Sequence, residues 1–363
     1  MLKKTKIIAS AILATVNAIV IVAMLVMGYS SHIQPTEHPM LACIGLPFPA
    51  ALAANTALLV VWLLFSWKKA WLPLLGFIVC YQPIRTYLPL NYPQTPPEGA
   101  IKVLSYNVQM FNGKTLTSDL RSPIADYIAE SGADIVCLQE AKVPDGQMRK
   151  ALKTVDSIYQ YRDTTVLERG SAYCMTLYSK YPILRKRIIS YPSGGNFSVA
   201  SVVSIDGKEV TVINNHLESN RLNEEIKDKF TQMVKGDASK NEAKKDSKQL
   251  IKMLAQAVEI RAPQADSVAN YIAKLKSRGA SIIVCGDFND HPLSYVHHSI
   301  AKDLTDCYVA SGNGPGASYN HNLMLVRIDN ILCSDDWEPY GATVDRKTAA
   351  SDHYPIYCWL KKR

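Results

Sequence analysis

Twenty-one consecutive residues near the start of the chain, Ile7–Met27 (IIASAILATVNAIVIVAMLVM), carry no charge. As a helix rising about 1.5 Å per residue, such a run crosses a hydrocarbon core of about 30 Å. A chain that opens this way either loses the segment as a signal peptide or keeps it in lipid. The apolar region of a signal peptide is roughly 7–15 residues long and ends at a small-residue cleavage site. This run is longer, no clear cleavage site follows it, and a second apolar run comes soon after, so it reads as a retained anchor. The second run, Cys43–Phe65, is again long enough to span, with a GLPFP entry (Gly45 to Pro49) that delays or kinks the helix start. A third, Ala70–Ile84, is shorter and holds Pro73 and Pro83; it spans if it continues through Leu90. The expectation is about three spans, at 7–27, 43–65 and 70–90, within a membrane region covering 1–90.

Basic residues orient the head. Lys3, Lys4 and Lys6 precede the first span and Lys68 and Lys69 follow the second, so both clusters fit the cytoplasmic face with Ser30–Met40 outside. If the third run crosses, the rest of the chain lies outside the cytoplasm; if it only dips in, the rest is cytoplasmic. No charged residue lies within the spans away from their ends, which argues against transport by the head.

The first hundred residues hold only six of the 40 Lys and Arg and two of the 32 Asp and Glu. The other 263 residues have the composition of an ordinary soluble domain, with a net charge of about +4 that is too dilute to argue a nucleic-acid face. Cys137, Cys285, Cys333 and Cys358 sit in strand-like patterns as small hydrophobes, and no CxxC spacing suggests zinc or redox work.

A proline-rich linker, 91–99 (NYPQTPPEG), leads into a domain at 100–363. Strand patterns are read at 101–111, 134–140, 174–178, 198–205, 209–215, 281–290, 327–333 and 354–360, with a helix over 118–130 and a hairpin at Asp206-Gly207. Between them, 219–261 is a charged helical insertion, read first as a solvated face and second as a lid or substrate guide.

The polar residues of interest lie at strand ends. Asn107 closes LSYN, Glu140 closes LQE, His216 closes INNH, Asp287 and Asn289 follow SIIVCG, Asp329 opens IDNIL, and Asp352-His353 precedes YPIYCWL. Strand ends on one sheet edge converge, so distant residues can line one cleft. Acids placed after apolar strands are costly unless paired or bound to a cation.

With SYNV, LQE, YSKYPI (178–183), NNHLES (214–219), GDFND (286–290), RIDNIL (327–332) and SDHYP (351–355) in this order, the segment 101–363 resembles the endonuclease/exonuclease/phosphatase superfamily, the deoxyribonuclease I-like phosphoesterases. With its apolar head the chain looks like a membrane-anchored bacterial branch. The resemblance implies an α/β fold, a four-layer α/β/β/α sandwich of two mixed sheets. It implies that Glu140 is the principal ligand of Mg²⁺ or Mn²⁺, with Asn107 in support and Asp352 close to the metal. Asp287 would orient and deprotonate the attacking water, and Asn289 would hold that water or the phosphate. His353, positioned by Asp329, would contact a phosphoryl oxygen, and His216 would stabilise charge on phosphate or leaving group. The 219–261 insertion and the Gly312–Gly316 loop would flank the cleft. The expected activity is hydrolysis of a phosphodiester (nucleic acid, phospholipid head group or small phosphoester) by a multi-pass protein of the bacterial inner membrane with a periplasmic catalytic domain. No obligate protein partner is inferred; the lipid bilayer and the phosphoester are the expected partners. The competing reading is a non-catalytic binding module that keeps the fold.

Overall fold

The computed structural model describes residues 2–111, 122–142, 146–167, 173–193 and 195–363. Among the described residues, twelve strands build the domain after the linker: β1 (Ile101–Asn107), β2 (Ile135–Lys142), β3 (Tyr161–Thr165), β4 (Tyr173–Ser179), β5 (Ile183–Ile189), β6 (Phe197–Ile205), β7 (Lys208–His216), β8 (Ser281–Asp287), β9 (Thr305–Asp306), β10 (Asp329–Cys333), β11 (Trp337–Val344) and β12 (Ile356–Lys362). They form two six-stranded sheets, ordered β11-β12-β1-β2-β4-β3 and β5-β6-β7-β8-β10-β9. Each sheet is mixed: β1–β2 and β7–β8 are parallel pairs, and every other pairing is antiparallel.

The strand sequences dictate this layering. Residues such as Val103, Ile135, Cys137, Val212, Ile283, Cys285, Ile331 and Cys358 alternate inward and form one core between the sheets. Full burial of each Val or Ile side chain contributes roughly 1.5–3 kcal/mol. The opposite faces are apolar too, so each must be covered. Leu104, Val136 and Leu138 pack against Ile124 and Ile128 of the Pro123–Glu130 helix and Val155 of the Lys153–Ile158 helix. Ile213, Ile282 and Val284 pack against Ala265, Val268 and Ile272 of the Lys240–Lys276 helix and Val296 and Ile300 of the Tyr295–Ala301 helix. Helices therefore lie outside both sheets.

Several expected elements take a different course. β1 stops at Asn107, and Gln109–Phe111 turns away with positive φ at all three residues. The helix expected over 118–130 begins at Pro123 behind an N-cap bond from Ala125 N to Ser122 Oγ; 118–121 lie outside the described residues. The 219–261 insertion resolves into a helix at Glu224–Lys235 and the first half of the Lys240–Lys276 helix, which runs through 261 without a break. From Ala255 onward that helix is apolar on one face and belongs to the core. Asp206 and Gly207 both take positive φ, as a tight hairpin turn requires.

In the head, two helices are long and apolar enough to cross a membrane, Lys4–Gly28 and Phe48–Lys69. The second starts at Phe48 rather than at Cys43, because Pro47 and Pro49 cannot donate the backbone bonds an earlier helical turn needs. The third run, expected as one span over 70–90, is instead two short helices, Trp71–Val79 and Tyr81–Tyr87, broken at Cys80. A buried polar network joins the segments: Trp62 Nε1 donates to Asn17 Oδ1 (3.1 Å), Asn17 Nδ2 to Asn55 Oδ1 (3.2 Å), and Asn55 Nδ2 to the Pro73 carbonyl (3.0 Å). Bonds of this kind fix how apolar helices pair where burial alone does not.

The head is docked on the domain. Ser30 Oγ donates to the Leu293 carbonyl (3.2 Å), and Arg327 Nη2 donates to the Thr86 carbonyl (2.8 Å). Asn91 Nδ2 donates to the carbonyls of Val309 and Gly312, and Gly314 N donates to Pro89 O (2.9 Å). The Gly312–Gly316 loop, expected beside the cleft, clasps the start of the linker.

Candidate active site

β1, β2, β7 and β8 end on one edge, and the antiparallel β10 begins there, opposite β8, with Asp329 in register with Asp287. His216 is in register with Asp287 across the parallel β7–β8 pair. Two backbone devices sharpen the convergence. Glu140 takes φ +49° at a register shift between β2 and β4, a bulge that re-aims its side chain. Gly286 takes φ +130°, and a Cβ there would lie 2.0 Å from Asn215 O, so only glycine lets β8 approach β7 this closely.

The side chains form one hydrogen-bonded cluster. Asn107 Nδ2 lies 3.1 Å from both Glu140 Oε1 and Asp287 Oδ2. His216 Nε2 is 3.3 Å from the same Glu140 oxygen. Asn289, itself at φ +54°, donates from its backbone to Asp287 Oδ1 (2.8 Å) and from Nδ2 to Asp287 Oδ2 (3.2 Å). His353 Nδ1 is 2.8 Å from Asp329 Oδ2, and its Nε2 is 3.7 Å from Asp287 Oδ2. Asp352 stands beside this group, its Oδ1 accepting a long bond from Ser351 Oγ (3.4 Å). All eight residues singled out from the sequence therefore lie at this one sheet edge.

Burial and charge set the protonation states. Burial alone would favour a neutral His353, but Asp329 and Asp287 outweigh it and raise the imidazole to about 10. Burial likewise opposes charge on Glu140, yet the His216 and Asn107 bonds and the His353 charge bring its carboxyl down to about 2. Asp287 is raised above the usual carboxylate range by burial, with His353 opposing and Asp329 adding to the shift. For His216, Glu140 and Asp287 overcome burial and raise the imidazole. The cluster thus combines a cationic His353, a His216 raised above the ordinary imidazole value, an ionised Glu140 and a proton-seeking Asp287.

The donor set fits a divalent cation. Asp287, Asp329 and His353 offer ligand atoms within 4.8 Å of one another, and Asp329 Oδ1 is buried without a hydrogen-bond partner. The Glu140 side chain is 26% exposed, so a cation arriving from solvent meets it before the enclosed acids. Hard carboxylate and amide oxygens are the ligands that Mg²⁺ and Mn²⁺ prefer.

Several supporting residues were not read from the sequence. Gln139 Nε2 donates to Asn214 Oδ1 (2.6 Å) and Asn214 Nδ2 to Leu138 O (3.1 Å), tying the two sheets together beneath the site. The asparagine pair in an otherwise apolar strand was the available signal. Ser318 Oγ accepts from the backbone of Ile328 and Asp329. Tyr319 packs edge-on against His353 at 5.2 Å between ring centroids, and the charged insertion meets the same loop through Thr231 Oγ1, which donates to the Asn322 carbonyl (3.0 Å). The insertion therefore reaches the wall of the site.

A family model described as the Endonuclease/Exonuclease/phosphatase family matches residues 104–353, and the chain belongs to that family. A second model, described as a domain of unknown function, matches residues 10–87, the apolar head. No curated protein matches the sequence. Among solved structures, the catalytic domain of human Nocturnin with bound sulfate is similar at TM-score 0.52 and 15% identity, over 73% of this chain and 94% of that one. A functionally unknown conserved protein from Enterococcus faecalis is similar at TM-score 0.51 and 14% identity, over 72% and 100%. An endonuclease/exonuclease/phosphatase from Beutenbergia cavernae matches at TM-score 0.50 and 16% identity, over 72% of each chain. At these identities the likeness is one of fold.

Proposed function

We propose that the chain is a membrane-anchored, divalent-metal-dependent phosphoesterase that hydrolyses a phosphodiester with an activated water. The observation that carries this reading is the convergence of Glu140, Asp287, Asp329 and His353 at one sheet edge, where Asp329 Oδ1 is buried without a hydrogen-bond partner. The sulfate held by the Nocturnin catalytic domain, an anion shaped like phosphate, is consistent with it.

Hydrolysis needs a deprotonated water and compensation for negative charge on the transferring phosphoryl group. Glu140, with Asn107 and Asp352, would hold the cation, whose charge offsets that on the phosphoryl oxygens. Asp287 is the proton acceptor: its raised basicity suits abstraction from water, and Asn289 fixes its carboxylate from two directions. His353 donates to a phosphoryl oxygen, kept cationic and in one orientation by Asp329. His216 offers a second positive group on the Glu140 side.

The domain lies outside the cytoplasm in this reading, at the bacterial inner membrane. Support comes from its contact with Ser30, in the loop after the first apolar helix, which this reading sets opposite Lys68 and Lys69. The broken third segment then crosses as well. Support comes from Lys69 bonding Ser10 (2.6 Å) at its start, Gly76 facing Ile21 midway and Pro83 facing Gly28 at its end. The segment runs alongside the first helix over that whole height.

The test is turnover of bis(p-nitrophenyl) phosphate, p-nitrophenyl phosphate, DNA and phospholipid by the purified full chain. Hydrolysis is expected to vanish with EDTA and return with Mg²⁺ or Mn²⁺. No hydrolysis of any of the four under either metal would leave the binding-module reading.

A further inference from the structure

The segment that follows the proposed base is not free. Asp287, Phe288 and Asn289 continue into Asp290, His291 and Leu293, and this continuation is gripped from two sides. From within the domain, the buried guanidinium of Arg261 lies 3.3 Å from Asp290 Oδ2 and donates to Glu218 O (2.7 Å). From the head, Ser30 holds the Leu293 carbonyl, and Leu293 packs with Met24, Phe48 and Cys80 at the end of the apolar bundle. Gly45 completes the grip. A Cβ on it would lie 2.3 Å from Ser30 Oγ and 2.7 Å from His291 Cε1, so the glycine lets the head close directly onto the segment. The partner acid is tied in the same way, because Arg327, two residues before Asp329, donates to the Thr86 carbonyl at the end of the third apolar segment.

We propose that the apolar head is a working part of the active site as well as its anchor: Gly45, Ser30 and Leu293 are positioning residues that set the Asp287–Asn289 loop. The inference rests on the phosphoesterase reading of that loop. A tether alone would require a linker and no contact. Here the contacts run from the bundle to within a few residues of both central acids, and the side chains making them are buried. Misplacing a reacting group by about 1 Å can cost on the order of 100-fold in rate. A shift in the packing of the bundle is therefore transmitted to turnover through His291 and Leu293.

The test uses the full chain in detergent, with Gly45→Val as the wedge, Gly45→Ala and Ser30→Ala as milder variants, and the exposed-loop variant Glu37→Ala as control. Two readouts are taken: kcat and KM on bis(p-nitrophenyl) phosphate with Mg²⁺, and hydrogen–deuterium exchange of the peptide covering 286–294. Gly45→Val is expected to lower kcat by about 30-fold with KM changed less than about three-fold, the signature of misplacement rather than lost binding. Exchange at 286–294 is expected to rise while the Pro123–Glu130 helix stays protected. The milder variants shift both readouts in the same direction by less, and they decide the matter if Gly45→Val does not fold. Glu37→Ala leaves both unchanged. Unaltered exchange at 286–294 and unaltered kcat in the Gly45 and Ser30 variants would overturn the proposal. Absence of turnover in the unsubstituted chain would instead count against the phosphoesterase reading, and exchange would still decide the coupling.

Discussion

Substituting Asp287 by asparagine keeps its size and its bond from Asn289 N but removes the proton acceptor. The expected result is a fall in kcat of about 10²–10⁴ with KM nearly unchanged, measured on bis(p-nitrophenyl) phosphate; equal losses in binding and turnover would contradict the assigned role. Because burial raises Asp287, its basic form is populated only above the ordinary carboxylate range, so the rate should climb with pH through that raised value. On the alkaline side His353 keeps its charge until about 10, so loss of its contact with the phosphoryl oxygen is expected only there. Away from the site, Asp306 is held by four partners. Its Oδ1 accepts from Tyr308 N and Val309 N, and its Oδ2 faces His297 (3.0 Å) and the buried Arg327 (3.6 Å). Burial opposes its charge, but Arg327 and His297 win and lower it from 3.8 to about 2. A depressed carboxyl stabilises the fold above its unfolded value and loses that contribution as pH falls through the folded one. Asp306→Asn is therefore expected to cost about 3–5 kcal/mol near neutrality by stranding Arg327. In denaturant titrations its deficit against the parent chain should narrow between about pH 4 and pH 2.

At the scale of strands and helices, the parallel β7–β8 pair is the most demanding joint. Gly286→Ala would drive a methyl into the Asn215 backbone, and a loss above about 4 kcal/mol, or failure to fold, is expected in thermal unfolding. Strand ends were legible because each interior strand is a short apolar run closed by a polar residue, and Asn107, Glu140, His216 and Asp287 stand at such ends. The Asp206-Gly207 hairpin was legible from its turn chemistry alone. β5 was not, because as an edge strand it reads ILRKRII, five exposed positions with no alternation to detect. β11 escaped for a similar reason, with Pro339 and Gly341 inside it. The Lys240–Lys276 helix was cut short at 261 because its first half is charged all round and its second half is amphipathic, a change of surroundings rather than of conformation. The Tyr319 ring on His353 and the Thr231 bond to the Asn322 carbonyl behind it join residues far apart in the chain, which no local pattern encodes.

For the whole molecule, the proposed extracytoplasmic side of the domain is open to a direct test. Alkaline phosphatase fused after Arg363 is expected to be active and a fluorescent protein fused there dark in a bacterial host, and the reverse pattern would put the domain in the cytoplasm. The eight cysteines bear on such experiments. All are unpaired, and all are buried. Cys137, by the neighbouring Cys285 thiol and then burial, and Cys307, by burial and then the neighbouring Cys333 thiol, are held well above the usual thiol range. A maleimide dye added to the folded protein should thus find nothing to alkylate. Any cysteine introduced on the outside, at Lys208 for instance, becomes the sole labelling point, and spectroscopic rulers can be mounted without first stripping the chain of its native sulfur.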